Sequence, residues 1–283
     1  MILQIDLVFL VLFAALIHAF WNAVVKSAGN RVLTLTLIHF TGATIGGLAI
    51  FYTGLPDIAV WPYLLISVVI HNFYYLFLLL SYRFGDLSEV YPIARGSSPL
   101  LVVILALVFA DEVPSQGAVF GIVLVSIGII SLTFSKGRIS RAGMTPIGLA
   151  LMTGIMISSY TVIDGIGIRS GSSPWPYIAW LNFLEGIPIT LWALIYRRKK
   201  IKPFVAGNWK TGIMGGSLAL VAYALALYAL NEGAMAHVSA LRETSVLFAT
   251  LIGAFVLKEG FGWQRILAAF IITTGVFVLQ VFG

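Results

Sequence analysis

The sequence is dominated by uninterrupted apolar runs of about 20 residues, the length that crosses a bilayer core as an α-helix. Read between polar or Gly/Pro breaks, ten such runs follow one another, at 5–26, 32–54, 59–82, 88–110, 115–135, 145–166, 175–196, 210–230, 236–257 and 262–281. The weakest breaks are "YTGLPDIAVWP" and "NEGAMAH". The connections are short, leaving few residues for a soluble domain. Because the runs are continuous rather than alternating, a closed β-barrel is excluded. Soluble domains carry about 25% charged residues; here 10% are charged and 60% hydrophobic, so the 283 residues read as an all-α integral membrane protein. With no cysteine, disulfides, thiolate metal sites and cysteine nucleophiles fall away. The N-terminus lacks the basic region and small-residue cleavage site of a signal peptide, so "IDLVFLVLFAALIHAFWNAVV" is read as the first span.

The net charge of +6 reports orientation rather than nucleic-acid binding. Of the 17 basic residues, 14 fall in the connections after runs 1, 3, 5, 7 and 9, including Lys26, Arg83, Lys136 and the stretch "RRKKIK". The opposite side has Arg169 alone, while Arg95 and Arg242 lie inside runs. The excess of basic residues in cytoplasmic loops places loops 83–87, 136–144 and 197–210 in the cytoplasm. The expected location is a bacterial-type inner membrane, with both chain ends outside.

An offset of 147 residues superimposes Arg95 on Arg242, Ser98 on Ser245, Leu100 on Leu247, Glu112 on Glu259 and Gly128 on Gly275, and Gly85 meets Gly233 at 148. The expected organisation is two five-helix repeats, 1–137 and 142–283, joined by a basic connector at 138–141. An odd number of spans per repeat gives the halves opposite topologies, an architecture of transporters whose substrate site lies between the halves near the midplane.

The stretches "LSEVYPIARGSSPLL" and "AHVSALRETSVLFATLIGAFVLKE", with "HAFWNAVVK" in the first span and the closing "GVFVL", resemble EamA-type members of the drug/metabolite transporter superfamily. The likeness covers essentially the whole chain. It implies a ten-helix carrier with a central cavity that works by alternating access and exports metabolites or amino acids. In one respect the chain departs from the pattern: many such relatives keep both termini cytoplasmic, whereas the loop charges here place them outside.

Ionisable groups inside a span mark function by default, since inserting one costs at least about 2.5 kcal/mol. Arg95 and Arg242 occupy equivalent positions and are read as two cations facing one cavity; the structural alternative pairs them with Glu89 and Glu243. Tyr91, Arg95 and Ser98 share a helical face at i, i+4, i+7. His18, Trp21 and Asn22 in the first span, and His71, Asn72 and Tyr75 in the third, form two similar polar-aromatic faces and are read as cavity lining. Glu185, with Asn182 and Trp180 nearby, is expected to bind an ammonium group or carry a coupling proton. Asp164 is the second proton-coupling candidate. His39 reads as packing, Glu112 and Glu259 as solvated loop acids, and the GxxxG pairs Gly42/Gly46, Gly117/Gly121 and Gly212/Gly216 as points of close helix approach. Pro92 and Pro99 suggest that the fourth span is the broken one.

The leading expectation is therefore a secondary transporter, monomeric or homodimeric, for a small anionic or zwitterionic metabolite such as an amino acid or related organic acid. Its partners would be the small-molecule substrate, the lipid bilayer and a coupling proton. Nucleic acid, cofactor and metal are not expected. No Walker lysine motif, HExxH or nucleophile elbow occurs, which argues against an ATP-driven pump or an enzyme. The alternatives are a lipid-carrier flippase, a cation or drug exporter and, as the weakest, a membrane-embedded enzyme.

Overall fold

The computed structural model describes residues 3–27, 30–134, 144–255 and 262–283. Its helices are α1 (Ile5–Ser27), α2 (Arg31–Thr53), α3 (Trp61–Phe84), α4 (Leu87–Ala110), α5 (Gln116–Ser131), α6 (Met144–Arg169), α7 (Pro174–Tyr196), α8 (Arg198–Glu232), α9 (Met235–Arg242), α10 (Ser245–Phe255) and α11 (Trp263–Phe282). Among the described residues, nine helices are long and apolar enough to cross a membrane. The chain is a multi-pass integral membrane protein. Phe9, Phe13, Phe51, Phe109, Phe270 and Phe277 point outward, as a lipid solvent favours, while many alanines, glycines and serines are buried between helices.

Four expectations need correction. The connection 197–210, read as a loop, is helical: a single residue, Arg197, separates α7 from α8, which begins at Arg198 and runs for 35 residues. Lysine and arginine are good helix formers, so a basic stretch prolongs the apolar helix instead of ending it. At 1.5 Å per residue α8 spans about 52 Å, and its exposed basic turns fall beyond a hydrocarbon core of about 30 Å. Much of the expected loop 83–87 is helix too, because α3 continues to Phe84 and α4 starts at Leu87. The loop 136–144 lies outside the described residues except for Met144, the first residue of α6.

The broken span is in the second half, not the first. α4 runs without interruption across Pro92 and Pro99, whereas the expected ninth span is two short helices, α9 and α10, separated by Glu243 and Thr244. Without an N–H, Pro99 withdraws the helical partner of the Arg95 carbonyl, yet the surrounding helices hold α4 together.

Glu112, read as a solvated acid, is engaged. Its Oε1 meets Arg169 Nη1 at 2.6 Å and its Oε2 accepts the Met235 N–H at 2.8 Å, so one carboxylate pairs an arginine and caps the start of α9. Arg169 also donates to the carbonyls of Leu230 and Gly233, tying together the ends of α4, α6 and α8. Glu259 lies outside the described residues.

Helices of the first five meet later ones in reciprocal pairs. α1 packs on α8 and on the α9–α10 pair, while α6 packs on α3 and α4; α2 packs on α7 and α5 on α11. Glycines set the closest approaches. A Cβ on Gly121 would stand 2.7 Å from Leu279 N and 2.8 Å from the Gly275 carbonyl, and one on Gly275 would stand 2.7 Å from Val125 N. Gly46 and Gly216 likewise abut the backbones of α7 and α2, whereas Gly42 meets nothing within 4 Å. Gly121→Leu is expected to push α5 off α11 and prevent recovery of monodisperse protein in size-exclusion chromatography, while Gly42→Leu, in open space, is expected to elute as the parent does.

Candidate functional site

The break between α9 and α10 organises the interior. From Glu243 to Leu247, backbone N–H groups reach carbonyls three residues back: Glu243 to Ala240, Thr244 to Leu241, Val246 to Glu243 and Leu247 to Thr244. The Thr244 hydroxyl adds a bond of 2.7 Å to the Leu241 carbonyl. Such a tight turn, rare inside a long helix, redirects two adjacent side chains. Arg242 lies with its guanidinium carbon 5.2 Å from the centroid of the Tyr223 ring on α8. Glu243 turns to Arg95 on α4, where its Oε2 is 2.8 Å from Arg95 Nε. That pair is a close ionic contact rather than an aligned hydrogen bond; Arg95 Nη2 also donates to Ser245 Oγ at 3.1 Å. Arg95 is 4% exposed and Glu243 2%.

Arg95 and Arg242 line one small cavity together with His18, Ala14, Ala15 and Ala222. The free volume there is about 10 Å³. Among the described residues Arg242 has no carboxylate within 4 Å, and its interaction is with the neutral ring of Tyr223. Glu243 contacts Arg95 and acts on Arg242 at longer range, so the two arginines share one carboxylate and keep one positive charge in excess.

Two further interior acids, Asp164 and Glu185, accept hydrogen bonds from tyrosines. Asp164 on α6, 0% exposed, accepts from Tyr177 Oη at 2.7 Å and from the Tyr223 hydroxyl. Glu185 on α7, 6% exposed, accepts from the Tyr75 hydroxyl. Buried tyrosine hydroxyls and buried carboxylates each need a partner, and here they supply one another. Rings connect the two acids: Tyr75 meets Tyr74 at 4.9 Å between centroids, Tyr74 meets Tyr160 at 5.7 Å, and Tyr160 meets Tyr223 at 6.1 Å. His71 stacks on Tyr160 at 4.0 Å, and its Nδ1 lies 3.1 Å from Ser67 Oγ. A continuous aromatic path thus runs from Glu185 to Tyr223, which touches both Asp164 and Arg242.

A helical interior of this kind is what solute carriers use, and the sequence comparison agrees. The EamA-like transporter family matches residues 7–134 and again residues 144–281. The chain belongs to the EamA-like transporter family. No curated protein matches the sequence. One solved structure, a crystal structure of a protein, is 16% identical and superposes with a TM-score of 0.80 over 98% of each chain, a likeness of fold.

In this EamA-like transporter the residues expected at the site do not all converge. Arg95, Arg242 and His18 meet at the cavity. Trp21 stands edge-on to His18 at 5.2 Å with its buried indole N–H unpartnered, and the buried Ser98 hydroxyl also lacks a partner. Tyr91 packs against the buried cluster that Val125, Ile129, Ala268 and Ile272 form between α5 and α11. His71 and Tyr75 belong to the aromatic path, and His39, read as packing, rests against Tyr75 at 4.6 Å. Asn22, Asn72 and Asn182 each turn their amide N–H back to a carbonyl of their own helix, at His18, Val68 and Ile178. Trp180 is far from its expected role: its indole donates to the Gly54 carbonyl at 3.0 Å and its ring meets Trp61 at 4.9 Å. At that rim Asp57 accepts the Ser172 N–H at 2.6 Å, which holds its carboxyl below the usual carboxylate range.

Sequence reading missed Tyr177 and Tyr223 as partners of Asp164, and Tyr74 and Tyr160 as ring links between the two acids. A usable signal existed for one of them, because Tyr160 and Asp164 stand at i, i+4 on one face of α6.

Proposed function

We propose that the chain is a secondary active transporter that moves a small anionic or zwitterionic metabolite, an amino acid or related organic acid, across the cytoplasmic membrane by alternating access. Arg242 carries this reading. A guanidinium in a membrane interior costs free energy unless something compensates it, and Arg242 has an aromatic face in contact and a share of the one carboxylate that Arg95 holds. An anionic group of the substrate is the natural counter-ion. A cationic drug would meet two arginines in the cavity and gain nothing there.

The two halves, 1–137 and 142–283 about the basic connector 138–141, act as inverted repeats, with α9 and α10 as parts of the ninth crossing. The reciprocal helix contacts and the twofold family match support this arrangement. The basic α7–α8 corner faces the cytoplasm and both termini face outward, following the positive residues. Glu185 is the first candidate for proton coupling. It has a single hydroxyl donor and slight exposure, whereas Asp164 is fully buried and holds two tyrosines.

Counterflow into proteoliposomes with a panel of metabolites of differing charge, with and without a pH gradient, tests the proposal. Carboxylates are expected to accumulate and cations not; uptake of cations alone would overturn it. Glu185→Gln is expected to abolish accumulation driven by the pH gradient while leaving counterflow measurable. Retention of full gradient-driven uptake would remove Glu185 from the coupling role.

A further inference from the structure

The charge inventory of the arginine cavity narrows the ligand beyond "anionic", on the reading that the cavity is where substrate binds. Two guanidinium groups line it. One, Arg95, is already matched by the Glu243 carboxylate at 2.8 Å and bound to Ser245 Oγ. The other, Arg242, has no carboxylate within 4 Å among the described residues and feels only the same Glu243 at longer range, so two guanidinium groups share one carboxylate. The remaining lining is three alanines and His18, with no carboxylate among them. The nearest interior carboxylates are committed elsewhere, Glu185 to Tyr75 and Asp164 to Tyr177 and Tyr223. The cavity thus offers one uncompensated positive charge.

We infer that the site takes a ligand with a single carboxylate and rejects dicarboxylates, and that Glu243 sets this specificity by occupying the second arginine. A second carboxylate entering the cavity meets an Arg95 already matched by Glu243 instead of a free cation, and the nearby like charge repels it in a low-dielectric interior. The tight turn at 243–244 is what allows consecutive residues to divide these tasks.

The test compares matched probes, butyrate with succinate and glutamine with glutamate, as competitors of transport or by direct binding to the purified full chain. Wild-type protein is expected to favour the single-carboxylate member of each pair by at least about tenfold. Glu243→Gln keeps an acceptor for Arg95 while removing the charge, and is expected to raise affinity for succinate and glutamate at least about tenfold. Adding Arg95→Gln to that variant is expected to cancel the gain, which separates a charge effect from a general loosening of the cavity. Wild-type protein that binds the dicarboxylates as well as their partners would overturn the inference, with no variant needed. So would a folded Glu243→Gln protein with unchanged selectivity. If no carboxylate binds wild-type protein while a cationic metabolite is transported, the anion-carrier reading fails and the inference fails with it.

Discussion

Arg95→Ala is expected to destabilise the protein by about 3–5 kcal/mol, the cost of leaving one member of a buried ion pair without its partner. Arg95 and Glu243 are both nearly inaccessible, and their contact joins α4 to the turn between α9 and α10. Removing the guanidinium strands the Glu243 carboxylate and also withdraws the donor to Ser245 Oγ. The double variant Arg95→Met/Glu243→Met removes both charges together, and buried pairs replaced in this way by apolar residues are often neutral in stability. Thermal unfolding in detergent is therefore expected to show a large loss for Arg95→Ala and most of that loss recovered in the double variant. Equal losses in both would mean that packing, not charge pairing, holds this turn.

Arg242→Ala is expected to behave in the opposite way. Its stacking on Tyr223 contributes about 0.5–2 kcal/mol as a cation–π contact, and its removal also relieves the cost of the second of two interior cations that share one carboxylate. The protein should fold and elute normally. Transport should fall by about ten- to a hundredfold, the equivalent of one charged hydrogen bond of about 1.5–3 kcal/mol to a substrate carboxylate. The two arginines, equivalent by repeat, thus divide into one that holds structure and one that meets the ligand. A stability loss in Arg242→Ala as large as that in Arg95→Ala would remove this division.

The division was only half legible in the sequence. The offset of 147 residues identifies Arg95 and Arg242 as counterparts, and interior charge marks both as costly. Which one is neutralised depends on the direction in which Glu243 points, and that follows from the tight turn. Nothing local in "LRETS" announces a break, since Pro and Gly are absent from it. In contrast, "YPIARGSSP" contains two breakers and remains one helix. Local propensity is overridden where neighbouring helices and an ion pair fix the backbone. The spans themselves were readable because hydrocarbon imposes their length. The end of α8 was not, because basic residues signal an interface without signalling the end of a helix. The aromatic path was hidden for a different reason: Tyr223 joins Asp164 across 59 positions and Tyr75 joins Glu185 across 110. Such pairings are set by which helices adjoin, not by spacing along any one of them.

The most direct measurement compares a transported amino acid with its uncharged-carboxyl amide, in wild-type protein and in Arg242→Ala. If Arg242 is the counter-ion of the substrate carboxylate, wild-type protein will strongly prefer the acid and the variant will lose that preference while remaining folded. If Arg242→Ala retains the wild-type preference for the acid, the carboxylate is bound elsewhere and the central assignment is wrong.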